Sequence, residues 1–234
     1  MEIGVHLQGL LAGRRLGDLV ALVAQNAPYD PEVYPVVVDG ENPPSRQVDE
    51  RAKCGASQSM LQLVNELLDV ATIEAGHLKL AKEPTSVVEI VERSVHLSNI
   101  EAAKKNTRIE LVKAGSDRMV DVDRNKIRQV VDNLISNAVK YSPRGSVITV
   151  LIHSDESGAG FAVRDSGPGI PDSERHKLFK DYGRLSSVPT GGEKSTGLGL
   201  AISRKLVEAH DGTIGVENIP GRGAEFVVRL PLSK

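Results

Sequence analysis

The sequence predicts an α+β protein in which a helical N-terminal region precedes an α/β two-layer sandwich. Three observations predict it. Residues 48–75 carry apolar side chains at helical spacing around most of the helix girth. Beyond Gly76, short strand-like runs alternate with amphipathic helices. Between the first helical stretch and the second lies a proline-rich segment, with Pro28, Pro31, Pro35, Pro43 and Pro44. The boundary between the two parts falls near residues 77–86, which gives regions 1–82 and 83–234.

The 234 residues fit one large or two small domains, and 40% apolar content is enough for a core. Aromatics make up only 3% and Trp is absent, so that core is aliphatic. With a net charge of −2, the composition argues against a nucleic-acid binder that works by stacking in a basic groove. The lone Cys54 excludes an internal disulfide and reads as a structural thiol in a reducing compartment. No apolar run reaches the ~20 residues of a membrane span, and Glu2 with no basic segment ahead of an apolar core is not a signal peptide. The expectation is a cytoplasmic chain, whole or as the cytoplasmic end of something longer.

In order, residues 3–25 place Val5, Leu7, Leu10, Leu11, Leu16, Leu19, Val20 and Val23 at helical spacing, although Gly4, Gly9, Gly13 and Gly17 weaken a helix by up to ~1 kcal/mol each. Residues 26–48 are too long for an ordinary helix–helix connection of about 2–8 residues and read as an insertion or a poorly ordered segment. From about Val48 to Ala75, Met60, Leu61, Leu63, Val64, Leu67, Leu68, Val70, Ala71 and Ile73 need burial on two sides. A dimeric four-helix bundle supplies that, and Gly76 ends the helix. Next come a strand-like piece at 78–82, a helix at 87–105, and strands at 108–113 and 119–122. Asp123 caps a helix reaching about Tyr141. A hairpin follows at 147–153 and 160–165, then a short helix at 172–179, a polar loop at 183–196, a helix at 198–209, and strands at 213–217 and 224–230.

Three of these stretches carry chemistry. On the helix at 124–141, Ile127, Val130, Val131, Leu134, Ile135, Ala138 and Val139 form a core face. Asn133, Asn137, Lys140 and Tyr141 form a second stripe roughly 120° away. An amide oxygen can hold a hard cation and an ammonium can neutralise phosphate, so the stripe suits a metal–polyphosphate ligand; a solvated helix face is the alternative. Asp165-Ser166-Gly167-Pro168-Gly169-Ile170 leaves a strand. Its carboxylate only accepts hydrogen bonds, which suits an exocyclic amine such as adenine's. Gly167 and Gly169 would take positive φ and admit a flat base. An Asp capping its own turn is the alternative. Gly197-Leu198-Gly199-Leu200 opens a helix whose N-terminus favours phosphate, and Arg184, Lys194 and Thr196 stand in the loop before it. No P-loop, zinc spacing or local Ser-His-Asp signature occurs.

Taken together, these residues resemble the catalytic and ATP-binding domain of sensor histidine kinases, of the ATPase superfamily shared with gyrase, a heat-shock chaperone and mismatch-repair proteins. Residues 132–142 look like the N box, 165–170 like the G1 box, Leu178-Phe179 like the F box and 195–202 like the G2 box. Residues 221–226 look like the last glycine box, with Ala224 where Ser or Thr is usual. Residues 60–76 look like the second helix of the family's dimerisation and phosphoacceptor hairpin. The resemblance implies ATP and Mg²⁺ as ligands. Asp165 would then meet the adenine amine, Asn137 would hold Mg²⁺, Asn133 and Lys140 would face the phosphates, and Tyr141 would lie near the sugar or base. Gly183–Thr196 would be the ATP lid. It also implies a homodimer through the N-terminal helices and a response-regulator receiver domain as partner. The pattern breaks in the first helix. His6 is the only candidate phosphoacceptor there, and Leu7 stands where the family has an acidic general base. Two activities therefore remain open: phosphoryl transfer to histidine, or a nucleotide-binding regulatory module that does not autophosphorylate. An ATPase or serine kinase on the same fold comes third.

Overall fold

A computed structural model describes residues 64, 66–180, 183, 186, 189–190, 197–219 and 223–233, all within one compact unit, Glu50–Lys234. The expected helices of 1–25 and the first part of 48–75, with Cys54 and His6, lie outside the described residues. So do Arg184, Lys194 and Thr196.

The sandwich is present as a five-stranded mixed sheet with its helices packed against it. In chain order the elements are β1 (Glu83–Ser86), α1 (Val87–Lys104), β2 (Arg108–Ala114), β3 (Met119–Val122), α2 (Arg124–Tyr141), β4 (Val147–Ser154), β5 (Gly158–Arg164), a 3₁₀ turn (Asp172–Lys177), α3 (Gly199–Ala209), β6 (Thr213–Asn218) and β7 (Ala224–Pro231). The large sheet runs β2-β4-β5-β7-β6, and β1 pairs only with β3. β2 and β4 are parallel, while the remaining neighbours in the sheet are antiparallel. A parallel pair needs a crossover, and the chain between β2 and β4 supplies one through α2.

Alternation along the strands explains the core. Ile148, Val150 and Ile152 of β4, Phe161 and Val163 of β5, and Phe226, Val228 and Leu230 of β7 are buried. Ile127, Val130, Val131, Leu134, Ile135 and Ala138 of α2 are buried with them, as the helical spacing predicts, and Val139 is half-buried. Asp123 caps α2 by accepting from the backbone N–H groups of Asn125 and Lys126. Ser86 caps α1 by accepting from Glu89 N–H.

Two expectations are corrected. Residues 78–82 are not a strand. There the backbone N–H of Ala81 donates to the Asp123 carboxylate at 3.1 Å and Lys82 pairs with Asp211 at 3.2 Å, so the segment is tied to side chains instead of a sheet. The strand is β1, one step later, and contains Pro84. The short helix at 172–179 is a 3₁₀ turn without a side-chain cap. A long-range tie joins the start of α2 to the end of α3. The fully buried His210, at the C-terminal end of α3, accepts from Asp123 N–H through Nε2 at 3.0 Å, while Nδ1 donates to the Leu206 carbonyl at 2.7 Å.

The helical segment 66–74, the described end of the long predicted helix, lies against the same core. Val70 is buried and Leu67 and Ile73 pack beside it. Asp69 accepts from Lys126 at 3.0 Å and from Gln129 at 2.6 Å, both on α2.

Candidate functional site

The stripe on α2 is half-buried along its length: Asn133, Asn137, Lys140 and Tyr141 are neither core nor open surface. Asn133 lies against the start of α3. Its Nδ2 donates to the buried Ser203 hydroxyl at 2.8 Å. Its Oδ1 comes so near the Gly199 backbone that a β-carbon on residue 199 would stand 2.3 Å from it. A side chain at 199 would therefore push the Asn133 amide aside. Among the described residues no side chain caps the N-terminal end of α3. Gly197 (φ +76°) turns the chain into that end. Leu198 is buried in the core and Leu200 half-buried.

Asn137, one turn from Asn133, makes no side-chain hydrogen bond among the described residues. Nor do these residues contain a cluster of three or more His, Cys, Asp or Glu that could hold a metal. A hard cation here would therefore take the Asn137 amide oxygen, with water and ligand oxygens completing the shell; that donor set fits Mg²⁺ bound mainly by phosphate. Lys140 behaves differently from its neighbours on the stripe. It lines a cleft of about 410 Å³ between α1 and α2, together with Lys104, Lys105, Ser136 and Arg144.

Asp165 leaves the end of β5, and only 8% of it is exposed. Its Oδ1 accepts from Gly167 N–H at 2.8 Å and from Ala224 N–H at 3.2 Å, so Oδ2 is left as an acceptor with no partner among the described residues. Burial pushes its pKa above the ordinary carboxylate value, and the two N–H donors offset only part of that. The turn in which Asp caps its own backbone is thus present on one oxygen, and the other oxygen remains available. Gly223 completes the wall. It has φ +89°, and a β-carbon there would stand 2.4 Å from Asp165 Oδ1. Gly169 takes the predicted positive φ, +75°. Gly167 does not; a β-carbon there would crowd the Tyr141 carbonyl at 2.9 Å, so its glycine is explained by closeness.

The structure thus brings Asn133 to Gly199, and Asp165 to Gly167 and to the β6–β7 end. Sequence reasoning missed several residues that hold these parts. Asn218 bonds both backbone groups of Ile170: Oδ1 accepts from its N–H at 2.9 Å, and Nδ2 donates to its carbonyl at 2.5 Å. Ser142 accepts from Ser166 N–H. The buried Lys105 donates to the Val139 and Lys140 carbonyls at 2.6 and 2.9 Å, and Thr190 donates to the Lys140 and Ser142 carbonyls. These are polar residues in ordinary turn contexts, and spacing carries no sign of a partner so far along the chain. Phe179 lies 6.0 Å beneath the Arg204 guanidinium of α3.

Against known proteins, the family model described as histidine kinase-, DNA gyrase B-, and HSP90-like ATPase matches residues 122–234. The sensor histidine kinase WalK of Bacillus subtilis (strain 168) is 34% identical over 179 residues, covering 75% of this chain and 29% of that protein. The virulence sensor protein BvgS of Bordetella bronchiseptica is 36% identical over 185 residues, covering 76% of this chain and 15% of that protein. The chain therefore spans less than a third of the length of these curated relatives. Among solved structures, the mycobacterial sensor histidine kinase MprB has a TM-score of 0.58 at 28% identity, covering 64% of this chain and 98% of that one. Full-length ShkA in complex with AMPPNP has a TM-score of 0.69 at 25% identity, covering 82% of this chain and 40% of that one.

Proposed function

Because residues 122–234 belong to the histidine kinase-, DNA gyrase B- and HSP90-like ATPase family, we propose that the chain is the core of a histidine kinase that binds Mg-ATP and moves its γ-phosphoryl group to a histidine, and then to a response-regulator aspartate. The observation that carries the reading is the buried Asp165, with one oxygen fixed by backbone donors and the other without a partner among the described residues. That arrangement suits a donor such as the adenine amine, and the helix N-terminus at Gly199 suits phosphate. In this reading Asn133 faces the phosphates beside Gly199, Lys140 swings from its cleft to a phosphate oxygen, and Tyr141 borders the sugar or base. Asn137 holds Mg²⁺, whose charge would neutralise the transferring group. Gly167, Gly169 and Ile170 shape the base side, and Gly197, Leu198, Gly199 and Leu200 the phosphate side. Arg184, Lys194 and Thr196 belong to a lid over 183–196. Residues 1–82 would form the dimerising hairpin and 83–234 the catalytic domain, working in the cytoplasm as a homodimer.

A second reading has one observation in its favour. His6 is followed by Leu7, which cannot act as the base for its imidazole; on this reading the chain dimerises, binds nucleotide and regulates a partner without phosphorylating itself. Incubation with γ-labelled Mg-ATP separates the two. Acid-labile label on the wild type that is lost in His6→Ala supports transfer to His6, and label retained places the acceptor elsewhere. Nucleotide binding without label supports the regulatory module. Asp165→Asn and Asn137→Ala serve as pocket controls, and if both bind Mg-ATP as the wild type does, the pocket is wrongly located.

A further inference from the structure

We infer that Asn218 is a positioning residue that sets the selectivity of the site for adenine nucleotides by holding the loop that orients Asp165; this rests on the ATP-binding reading above. Asn218 is the last residue of β6 and is paired with Ala224, the first residue of β7. Ala224 is also the residue whose N–H donates to Asp165 Oδ1. The second donor to that oxygen, Gly167 N–H, comes from a loop of very different construction. Residues 166–170 belong to no strand or helix, and two of them, Gly167 and Gly169, are the least restrained residue type. Left to itself such a loop would sample many conformations.

Three side chains tie it down. Ser166 is held near α2: its N–H donates to the Ser142 hydroxyl at 3.1 Å, and its own hydroxyl donates to the Val147 carbonyl at 2.7 Å. The far end is held by Asn218 through both backbone groups of Ile170. An amide bonded to one residue's N–H and C=O together satisfies both groups as a neighbouring strand would, although no strand is there. Ile170 is itself buried at 6% exposed, so its two backbone groups have little access to water and depend on that amide. A β-carbon on Gly169 would lie in ordinary van der Waals contact with Asn218 Oδ1, at 3.5 Å. With both ends fixed, Gly167 N–H is kept on Asp165 Oδ1, and Oδ2 is kept pointing away from the protein donors. Asn218 thereby fixes which carboxylate oxygen meets the base without touching the base itself.

Asparagine is matched to the task. Ser is too short to reach both groups, Asp has an acceptor where a donor is needed, and Leu has the shape but no polarity. The test uses the full chain and two nucleotides: ATP, and purine riboside triphosphate, which lacks the exocyclic amine. In the wild type the ratio of their dissociation constants reads the amine contact. In Asn218→Asp, Oδ1 still accepts from Ile170 N–H, but the second oxygen faces the Ile170 carbonyl. The expected result is a loss of ATP affinity of about tenfold, the scale of one weakened hydrogen bond to the carboxylate, with little loss for the amine-free nucleotide. The ratio then falls toward one, and the melting temperature drops with it, because the buried Ile170 carbonyl loses its donor. Asn218→Ser should show the same collapse of the ratio and covers the case in which the Asp variant does not fold. Equal losses for both nucleotides would mean a merely structural role and would overturn the inference, as would an unchanged ratio. A wild type that binds neither nucleotide overturns the ATP reading itself; a wild type that prefers ATP, with variants that keep that preference, overturns only the role of Asn218.

Discussion

Substituting Gly199 by Ala should damage nucleotide binding while leaving the fold almost untouched. The new β-carbon would stand 2.3 Å from Asn133 Oδ1, and contacts below 3.0 Å are essentially never tolerated, so the amide must retreat by at least about 0.7 Å. The neighbour that yields is the tip of a side chain, which can turn away without moving α2. Turning it breaks the 2.8 Å bond to Ser203, at about 0.5–1.5 kcal/mol. Alanine returns about 0.5–1 kcal/mol through its helix propensity. Net stability should therefore change by less than about 1 kcal/mol in urea denaturation. Binding should change far more. An amide that faces phosphate makes a charge-assisted contact of about 1.5–3 kcal/mol, so calorimetry with Mg-ATP should show a dissociation constant raised about tenfold to a hundredfold. Wild-type affinity in a folded Gly199→Ala protein would refute the placement of Asn133 at the phosphates. A loss of several kcal/mol in stability would refute the argument that only a side-chain tip moves.

Other outcomes follow from the same contacts. Lys105→Met removes the ammonium from the Val139 and Lys140 carbonyls at the end of α2; thermal or urea unfolding should show a loss of about 1–3 kcal/mol. Burial holds the His210 pKa below 6.5, aided by Lys82 and opposed by the Leu206 carbonyl, Asp123 and Asp211. A depressed histidine contributes stability that is fully present above 6.5 and is lost as pH falls through the folded value. Unfolding at a series of pH values should therefore show stability declining on acidification below 6.5, and His210→Gln, which cannot titrate, should remove that part of the slope. Asp69→Ala frees the segment 66–74 from Lys126 and Gln129; hydrogen exchange should quicken there by about fivefold, the scale of a partly buried ion pair near 1 kcal/mol, and remain unchanged in β5.

The core of α2 was legible because a buried helix face repeats every three or four residues, and Ile127 through Ala138 obey that rule without exception. The same regularity located the stripe with Asn133 and Asn137. The G1 loop was legible only in part. Gly169 was foreseen as a positive-φ residue, but Gly167 proved to be a matter of space, because its neighbour Tyr141 arrives from another element. Asn218, Lys105 and Thr190 were illegible for a similar reason. Each acts on a backbone group many positions away, and a backbone carbonyl leaves no mark on the sequence. β1 was missed because Pro84 argues against a strand; it is tolerated here in a two-stranded edge ribbon.

The bond from Asp123 N–H to His210 has a mechanical consequence. It joins the first turn of α2 to the last turn of α3, while Asn133 and Gly199 meet toward the other end of α3. There the Asn133–Ser203 bond fastens the same two helices again. Two rods fastened at both ends of their contact act as one rigid unit: they neither splay nor slide without breaking a bond. Removing either fastening would leave a hinge at the other, about which α3 could swing away from α2.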